Sequence, residues 1–346
     1  MPVSVVVGGQ FGSEGKGKVA HAIACREDAA AVVRVGGTNS GHTVVDARGD
    51  TWALRQLPAS VLAEGVVAVL PPGAIIDPEI FLAEVAKLRL DPSRVRVSPL
   101  ATLITDGDRE AERLSGIVDR IGSTGSGTGQ ALSRRMARRD GEAVLARSDE
   151  RLEPYFDDTT SLMRGLLRQG RRVVIEGSQG FGLSLLHGPE YPKATSRDAT
   201  AATFVGEAGL SPLDVDDVTL VIRTYPIRVA GKSGDLPNEV TWADVAERAR
   251  LPRDYVELTT STQKVRRVGL FDPGIVRRAV EVNAPTRIVL NHVDYVDPDA
   301  RTGRLGALAR DFVEREVEAP LGIRIDWLGT SPADVLTDWR GSNGPK

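Results

Sequence analysis

Residues 3 to 18 constrain the fold of this chain more than any other stretch. Val3 to Val7 is a short β-branched run, the composition of a strand buried on both faces of a sheet. It leads into Gly8-Gly9-Gln10-Phe11-Gly12-Ser13-Glu14-Gly15-Lys16-Gly17-Lys18, with five glycines in residues 8 to 17, and a helix is expected from about Lys16 to Cys25. A glycine loop between strand and helix turns backbone N–H groups toward an anion, and the helix N-terminus adds a favourable dipole. Glycine lets the backbone approach closely, and Lys16 and Lys18 add compact positive charge. The plainer alternative is a tight turn with two solvated lysines; the density of glycines favours phosphate. The loop is not a Walker A motif, because no Gly-Lys-Ser/Thr follows at the required spacing, nor is it a clean dinucleotide fingerprint.

Strands and helices go on alternating. Strands are expected at Ala31–Val35, Val66–Leu70, Arg94–Val97, Arg172–Ile175, Val218–Ile222 and Arg287–Leu290. Helical spacing covers Pro78–Leu88, Leu132–Arg139, Thr159–Arg168, Trp242–Ala249 and Pro273–Val282. This order predicts an α/β chain with a mostly parallel central sheet flanked by helices, and a site at the carboxyl ends of the strands. No repeat, low-complexity tract or linker divides residues 1–346, so one domain with long functional loops is expected, with a frayed tail at Gly341–Lys346. The formal net charge of −3 gives no basic field for nucleic acid, and the four histidines suggest no metal cluster by spacing. The lone Cys25 excludes an internal disulfide and reads as a buried structural thiol. No leader or membrane-spanning run is visible, which points to the cytoplasm.

The second strand runs into Gly36-Gly37-Thr38-Asn39-Ser40-Gly41-His42-Thr43, where His42, between glycines at a strand end, suits donation to a developing oxyanion. The two loops together resemble adenylosuccinate synthetases, which carry Gly-x-x-x-Gly-Asp-Glu-Gly-Lys-Gly-Lys followed by Gly-Gly-x-Asn-Ala-Gly-His-Thr. The likeness continues in order through Ile121-Gly122-Ser123-Thr124-Gly125-Ser126-Gly127-Thr128-Gly129, similar to the family's nucleotide-phosphate loop, with Arg135 and Arg138 where basic residues follow it. It extends through Ile175-Glu176-Gly177-Ser178-Gln179-Gly180, His187-Gly188, Tyr191-Pro192, Thr195-Ser196, Arg266-Arg267-Val268-Gly269 and Asn291-His292-x-Asp294. The compact length is similar to the shorter archaeal and phage members.

The resemblance implies a P-loop-NTPase-like adenylosuccinate synthetase fold and a Mg2+-dependent ligase that joins L-aspartate to C6 of a purine nucleotide through a 6-phosphoryl intermediate. It implies triphosphate contacts from Gly12, Ser13, Glu14, Gly15, Lys16, Gly17 and Lys18, from Gly41, His42 and Thr43, and from His292 and Asp294 at the donor base. Purine-nucleotide contacts fall to Ser13, Asn39, Ser123, Thr124, Gln179 and Thr195. Arg138 would reach the nucleotide of a neighbouring subunit, which implies a homodimer. Aspartate contacts fall to Thr260, Ser261, Thr262, Lys264 and Arg266, whose hydroxyls and positive charge suit two carboxylates. Lys16, His42, Gln179 and Ser13 take the catalytic positions, with the Gly41 carbonyl and Ser13 as metal ligands.

One departure bears on the substrate. The family has aspartate before the loop glutamate, where it acts as base on N1 of IMP and helps hold magnesium; here that position is Ser13. Serine is a poor base and a weaker magnesium ligand. The same serine resembles the phage branch, which makes N6-succino-2-amino-2'-deoxyadenylate from dGMP. Guanine carries a 2-amino group beside N1, and a shorter side chain leaves room for it. The family's Gly-Arg is Gln263-Lys264 here, and loss of an arginine that can contact a ribose 2'-hydroxyl fits a 2'-deoxy substrate. The phage likeness favours ATP or dATP as donor, with GTP as the alternative. An IMP-using synthetase and a non-catalytic relic are the competing readings; retention of Glu14, Lys16, Lys18, Asn39, His42, Thr124 and Gln179 argues against the relic.

Overall fold

The computed structural model describes residues 2–259 and 263–340. Thr260, Ser261 and Thr262, expected at the aspartate site, and the tail Gly341–Lys346 lie outside the described residues. Among the described residues, the central sheet has nine strands: β1 (Val3–Gly8), β2 (Ala29–Arg34), β3 (Val67–Leu70), β4 (Val95–Val97), β5 (Arg172–Glu176), β6 (Val215–Arg223), β7 (Arg287–Asn291), β8 (Trp327–Gly329) and β9 (Val335–Leu336). They lie in the order β9-β8-β7-β6-β1-β5-β2-β3-β4, all parallel except the β8–β9 pair. The α/β architecture expected from the sequence is the one observed.

β1 is central because both of its faces are apolar. Val3, Val5 and Val7 pack on one side with Met163, Ile175 and Phe204. Val6 packs on the other with Val19 and Ile23 of the first helix, Lys16–Arg26. A strand buried on both sides needs helices on both sides. Chain connections leave β1 toward β2 on one flank and β6 adjoins it on the other, so the glycine loop emerges where the two halves of the sheet diverge, the place where α/β sheets hold ligands.

The hydrophobic runs end a residue or more before four of the strands do. β2, β5, β6 and β7 finish on Arg34, Glu176, Arg223 and Asn291, all buried. These polar ends face the site and are held by partners described below. Cys25 departs from expectation: it is exposed. The first helix buries Val19, Ala20, Ile23 and Ala24 against the sheet, which leaves position 25 on the outer face beside His21. Among the described residues, no helix is long and apolar enough to cross a membrane.

Candidate active site

The glycine loop owes its shape to Glu14. Its buried carboxylate accepts from the backbone N–H of Gln10 at 3.1 Å and of Gly12 at 2.8 Å, and pairs with Lys16 Nζ at 2.7 Å. A Cβ on Gly8 would stand 2.6 Å from this carboxylate, so glycine there makes the turn fit. Gly15, at φ +91°, is pressed against the side chain of Asn291, whose Nδ2 donates to the Glu14 carbonyl at 2.7 Å. Glu14 is therefore a brace of the loop. Gly17 has no room for a side chain beside His42 and Ala59, which brings the helix start up against the second loop.

A cavity of about 250 Å³ opens over this loop at the carboxyl end of the sheet. Of the residues expected at the site, it brings together Gly12, Ser13, Lys16, Asn39, Gly41, His42, Ser123, Thr124, Gln179, Lys264 and Arg266. Phe11, Val118, Leu183 and Val229 add flat apolar wall, and Lys232 and Asp119 line the mouth. With Lys16 already paired to Glu14, Lys232, Lys264 and Arg266 against the Asp119 carboxylate make the cavity cationic in a chain of net negative charge. Phosphates and a dicarboxylate are the complementary ligands. Ser13 (φ 55°) and Gln179 (φ 65°) both occupy left-handed backbone conformations, uncommon for such residues and typical of functional turns.

His42 is held by two strand ends. Its Nδ1 lies 2.5 Å from Glu176 Oε1, which also accepts from Arg34 Nη1 at 2.9 Å and from the Ala59 backbone at 3.2 Å. Arg34 Nη2 reaches the Ser40 carbonyl (3.2 Å) and hydroxyl (3.0 Å), fixing the loop that carries Asn39 and Gly41. Burial and the neighbouring Arg34 hold the imidazole down to about 4, so it is neutral at pH 7. Burial alone would raise Glu176, but His42 and Arg34 outweigh it and hold the carboxylate at about 2. Arg34 Nη1 also lies against both ring nitrogens, 3.0 Å from Nε2. Donation from Nε2 while Nδ1 donates to Glu176 requires the imidazolium, which the negative charge of a phosphoryl group beside it would favour. Glu176 and Arg34 were not singled out from sequence for this role; their signal was a charged residue closing an apolar strand.

The third glycine-rich loop, 122–129, differs from a bare anion cradle. The carboxylate of Glu112 accepts from Gly127 N at 2.8 Å and Gly129 N at 2.9 Å, at the start of the helix Thr128–Ala137. A nucleotide phosphate would have to use the Ser123 and Thr124 hydroxyls and the cations of the cavity. Arg135, on that helix, donates to the Leu100 carbonyl and the Thr102 hydroxyl, both at 2.8 Å, and so braces the loop's supports. Arg138, left-handed at the helix end, is exposed and outside the cavity of its own chain. Thr195 also lies outside it, with its buried hydroxyl lacking a partner. Thr43 alternates away from His42 on the strand His42–Val45 and is exposed.

Lys18, His292 and Asp294 form a separate group at the end of β7. Lys18 Nζ donates to the Ser331 carbonyl at 2.8 Å, and Asp294 pairs with Arg301 at 3.3 Å. Burial pulls the Lys18 ammonium down to about 8 from 10.5, against the attraction of Asp294 and Asp334. Between those two values the unfolded chain binds the extra proton, so the Lys18 contribution to stability rises with pH across that window. Relative to Lys18→Met, the unaltered protein should gain up to about 3 kcal/mol from pH 8 to 10.5. Urea unfolding of both proteins through that range checks this; a constant difference contradicts it.

Among the described residues, no group of three or more His, Cys, Asp or Glu could hold a metal ion. The Ser13 hydroxyl and Gly41 carbonyl are hard oxygen donors at the cavity wall, a set that fits magnesium completing its shell with phosphate oxygens and water.

Comparison with known proteins agrees with this geometry. The family described as adenylosuccinate synthetase matches residues 5–144 and 141–301. Adenylosuccinate synthetases of Thermococcus sibiricus and Thermococcus onnurineus are 35% and 36% identical over 340 residues, covering 96% of each chain. The succinoaminodeoxyadenylate synthetase of cyanophage S-2L, solved bound to dGMP and to dATP as an energy donor, superposes with a TM-score of 0.82 at 27% identity, over 97% of this chain and 95% of that one. The fully ligated adenylosuccinate synthetase of Plasmodium falciparum shares the fold, with a TM-score of 0.86 at 20% identity over 98% and 100% of the two chains. The chain belongs to the adenylosuccinate synthetase family, ligases that attach aspartate to a purine nucleotide.

Proposed function

We propose that this enzyme joins L-aspartate to C6 of dGMP at the expense of ATP or dATP, yielding N6-succino-2-amino-2'-deoxyadenylate, a nucleoside diphosphate and phosphate. The observation that carries the reading is Ser13: a short hydroxyl on the cavity wall, in the same cavity as Lys16, His42 and Gln179. The family's carboxylate there is aimed at N1 of hypoxanthine. A serine leaves space for the 2-amino group next to N1 and offers an oxygen to accept from it. The cyanophage enzyme, with dGMP bound, supports the same reading.

In this scheme N1 gives up its proton to water, the purine O6 attacks the γ-phosphorus, the bond to the β-phosphate oxygen breaks, and O6 becomes part of a phosphate leaving group. The neutral aspartate amine then adds to C6, phosphate departs as the C6–O6 bond breaks, and the nitrogen gives up one proton to water, keeping the other as the N–H of the product. Positioning and neutralisation of charge dominate such transfers. Lys16 and an imidazolium at His42 offset charge on the transferred group. Gln179 orients the O6 edge, and Asn39, Ser123, Thr124 and Thr195 hold the nucleotide. Lys264 and Arg266, with Thr260, Ser261 and Thr262, take the aspartate carboxylates. Magnesium, on the Gly41 carbonyl and Ser13 hydroxyl, would supply further positive charge to the triphosphate. Lys18, His292 and Asp294 would receive the donor base, and Arg138 would serve a second subunit's nucleotide in a homodimer.

The 35–36% identity to archaeal proteins named adenylosuccinate synthetase favours a second reading, with IMP and GTP. Steady-state assays with dGMP and IMP, each with aspartate, Mg2+ and ATP, dATP or GTP, separate the two. The proposal expects kcat/KM for dGMP to exceed that for IMP. Preference for IMP overturns it, and absence of phosphate release with either favours a non-catalytic protein.

A further inference from the structure

We infer that Arg223 and Glu257 are a positioning pair that ties the residue at the purine edge, Ser13, to the segment that presents Lys264 and Arg266. This rests on the ligase reading above and adds to it a fixed link between the purine site and the amine-donor site.

Arg223 ends β6 and is fully buried. Its Nη1 donates to the Ser13 carbonyl at 3.0 Å and to Glu257 Oε2 at 3.2 Å, while Nη2 donates to Glu257 Oε1 at 2.5 Å. Its own backbone is clamped to the glycine loop: Gln10 Oε1 accepts from Arg223 N at 2.8 Å and Gln10 Nε2 donates to the Arg223 carbonyl at 3.1 Å. On the far side, Glu257 Oε1 also accepts from the Tyr295 hydroxyl at 2.9 Å. The Glu257 carbonyl accepts from Arg266 N at 2.9 Å, and Arg266 Nε donates to the Leu258 carbonyl at 3.1 Å. An unbroken run of polar contacts therefore joins Ser13, Arg223, Glu257 and Arg266.

The energetics make this link stiff. The buried guanidinium, in bidentate contact with the half-buried carboxylate, cannot lose that partner without leaving its own charge uncompensated away from water. The guanidinium fork satisfies Glu257 and the Ser13 carbonyl together, which the single point charge of lysine cannot do. Ser13 needs that support, since its left-handed backbone is held against an ordinary preference for negative φ. The distance between the purine edge and the cation for aspartate is thereby set by two side chains that line neither subsite.

The test uses the full chain with Glu257→Gln, which preserves shape, and Arg223→Lys, with thermal melts to confirm folding. Steady-state kinetics are run with whichever purine nucleotide the unaltered enzyme turns over. Expected is a fall of about 100-fold in kcat/KM for aspartate, the scale of a misplacement near 1 Å, while KM for the triphosphate moves by less than about threefold. The double variant should be no worse than the poorer single one, because both break one link. Should Arg223→Lys fail to fold, Glu257→Gln decides alone. A folded Glu257→Gln with unchanged aspartate kinetics, or with KM for the triphosphate raised as much as KM for aspartate, overturns the inference. Absence of turnover by the unaltered chain counts against the ligase reading and this link with it; normal turnover with unshifted variants overturns the link alone.

Discussion

Replacing Ser13 with aspartate is expected to move the enzyme's choice of purine nucleotide toward IMP, changing the ratio of kcat/KM values by about 100-fold, the size of effect that a mismatched polar group in a binding site produces. The backbone should accept the change. Aspartate is among the residues enriched in left-handed conformations, and the loop is held through the carbonyl of residue 13 by Arg223 and through the carboxylate of Glu14, not through the serine side chain. The added carboxylate would reach the region of N1, crowd a 2-amino group, and restore a base. Ser13→Gly supplies the complement: it keeps the space, relieves the backbone and removes the hydroxyl. It should preserve the preference for dGMP at reduced kcat. Parallel kinetics with the two nucleotides measure both effects, and an Ser13→Asp enzyme with unaltered selectivity removes the explanation offered for the serine.

The second large effect concerns His42. Its replacement by asparagine should lower kcat by about 10²- to 10⁴-fold, the usual contribution of a proton-donating group in the transition state, with little change in KM. Glu176→Gln should give a smaller loss and, more informatively, a displaced pH profile. The carboxylate 2.5 Å from Nδ1 favours the imidazolium. Without it the imidazole gives up its proton at lower pH, so kcat should fall with rising pH earlier than in the unaltered enzyme. Because Arg34 would lose a buried partner, melting curves must accompany the kinetics. A Glu176→Gln enzyme that is folded, slower, and unchanged in pH profile would show that the glutamate holds the loops without acting on the proton.

The alternation of strand and helix was legible because apolar runs such as Val3–Val7 and Arg172–Ile175 are buried on both faces and carry no competing pattern. The helix Asp106–Leu114 was not: it is charged almost all round, and the residues it buries are Asp108 and Glu112. Those carboxylates are satisfied by Arg134 and by the backbone of Gly127 and Gly129, partners distant in sequence. The same limit hid the site's supports. Ser13, Lys16 and His42 stand in glycine-rich loops that advertise phosphate chemistry, and Glu176 lies in a recognisable motif without its role being apparent, whereas Arg34 and Arg223 at strand ends and Glu257 in a loop are ordinary charged residues until the fold brings them to their partners. Lys232 lines the cavity from a segment with no motif of its own.

The most direct measurement is a crystal structure with dGMP and a non-hydrolysable ATP analogue bound. The account predicts the guanine in the cavity beside Phe11 and Gln179, its 2-amino nitrogen within hydrogen-bond reach of the Ser13 hydroxyl. A guanine docked elsewhere, or turned so that this amine faces away from Ser13, would contradict it.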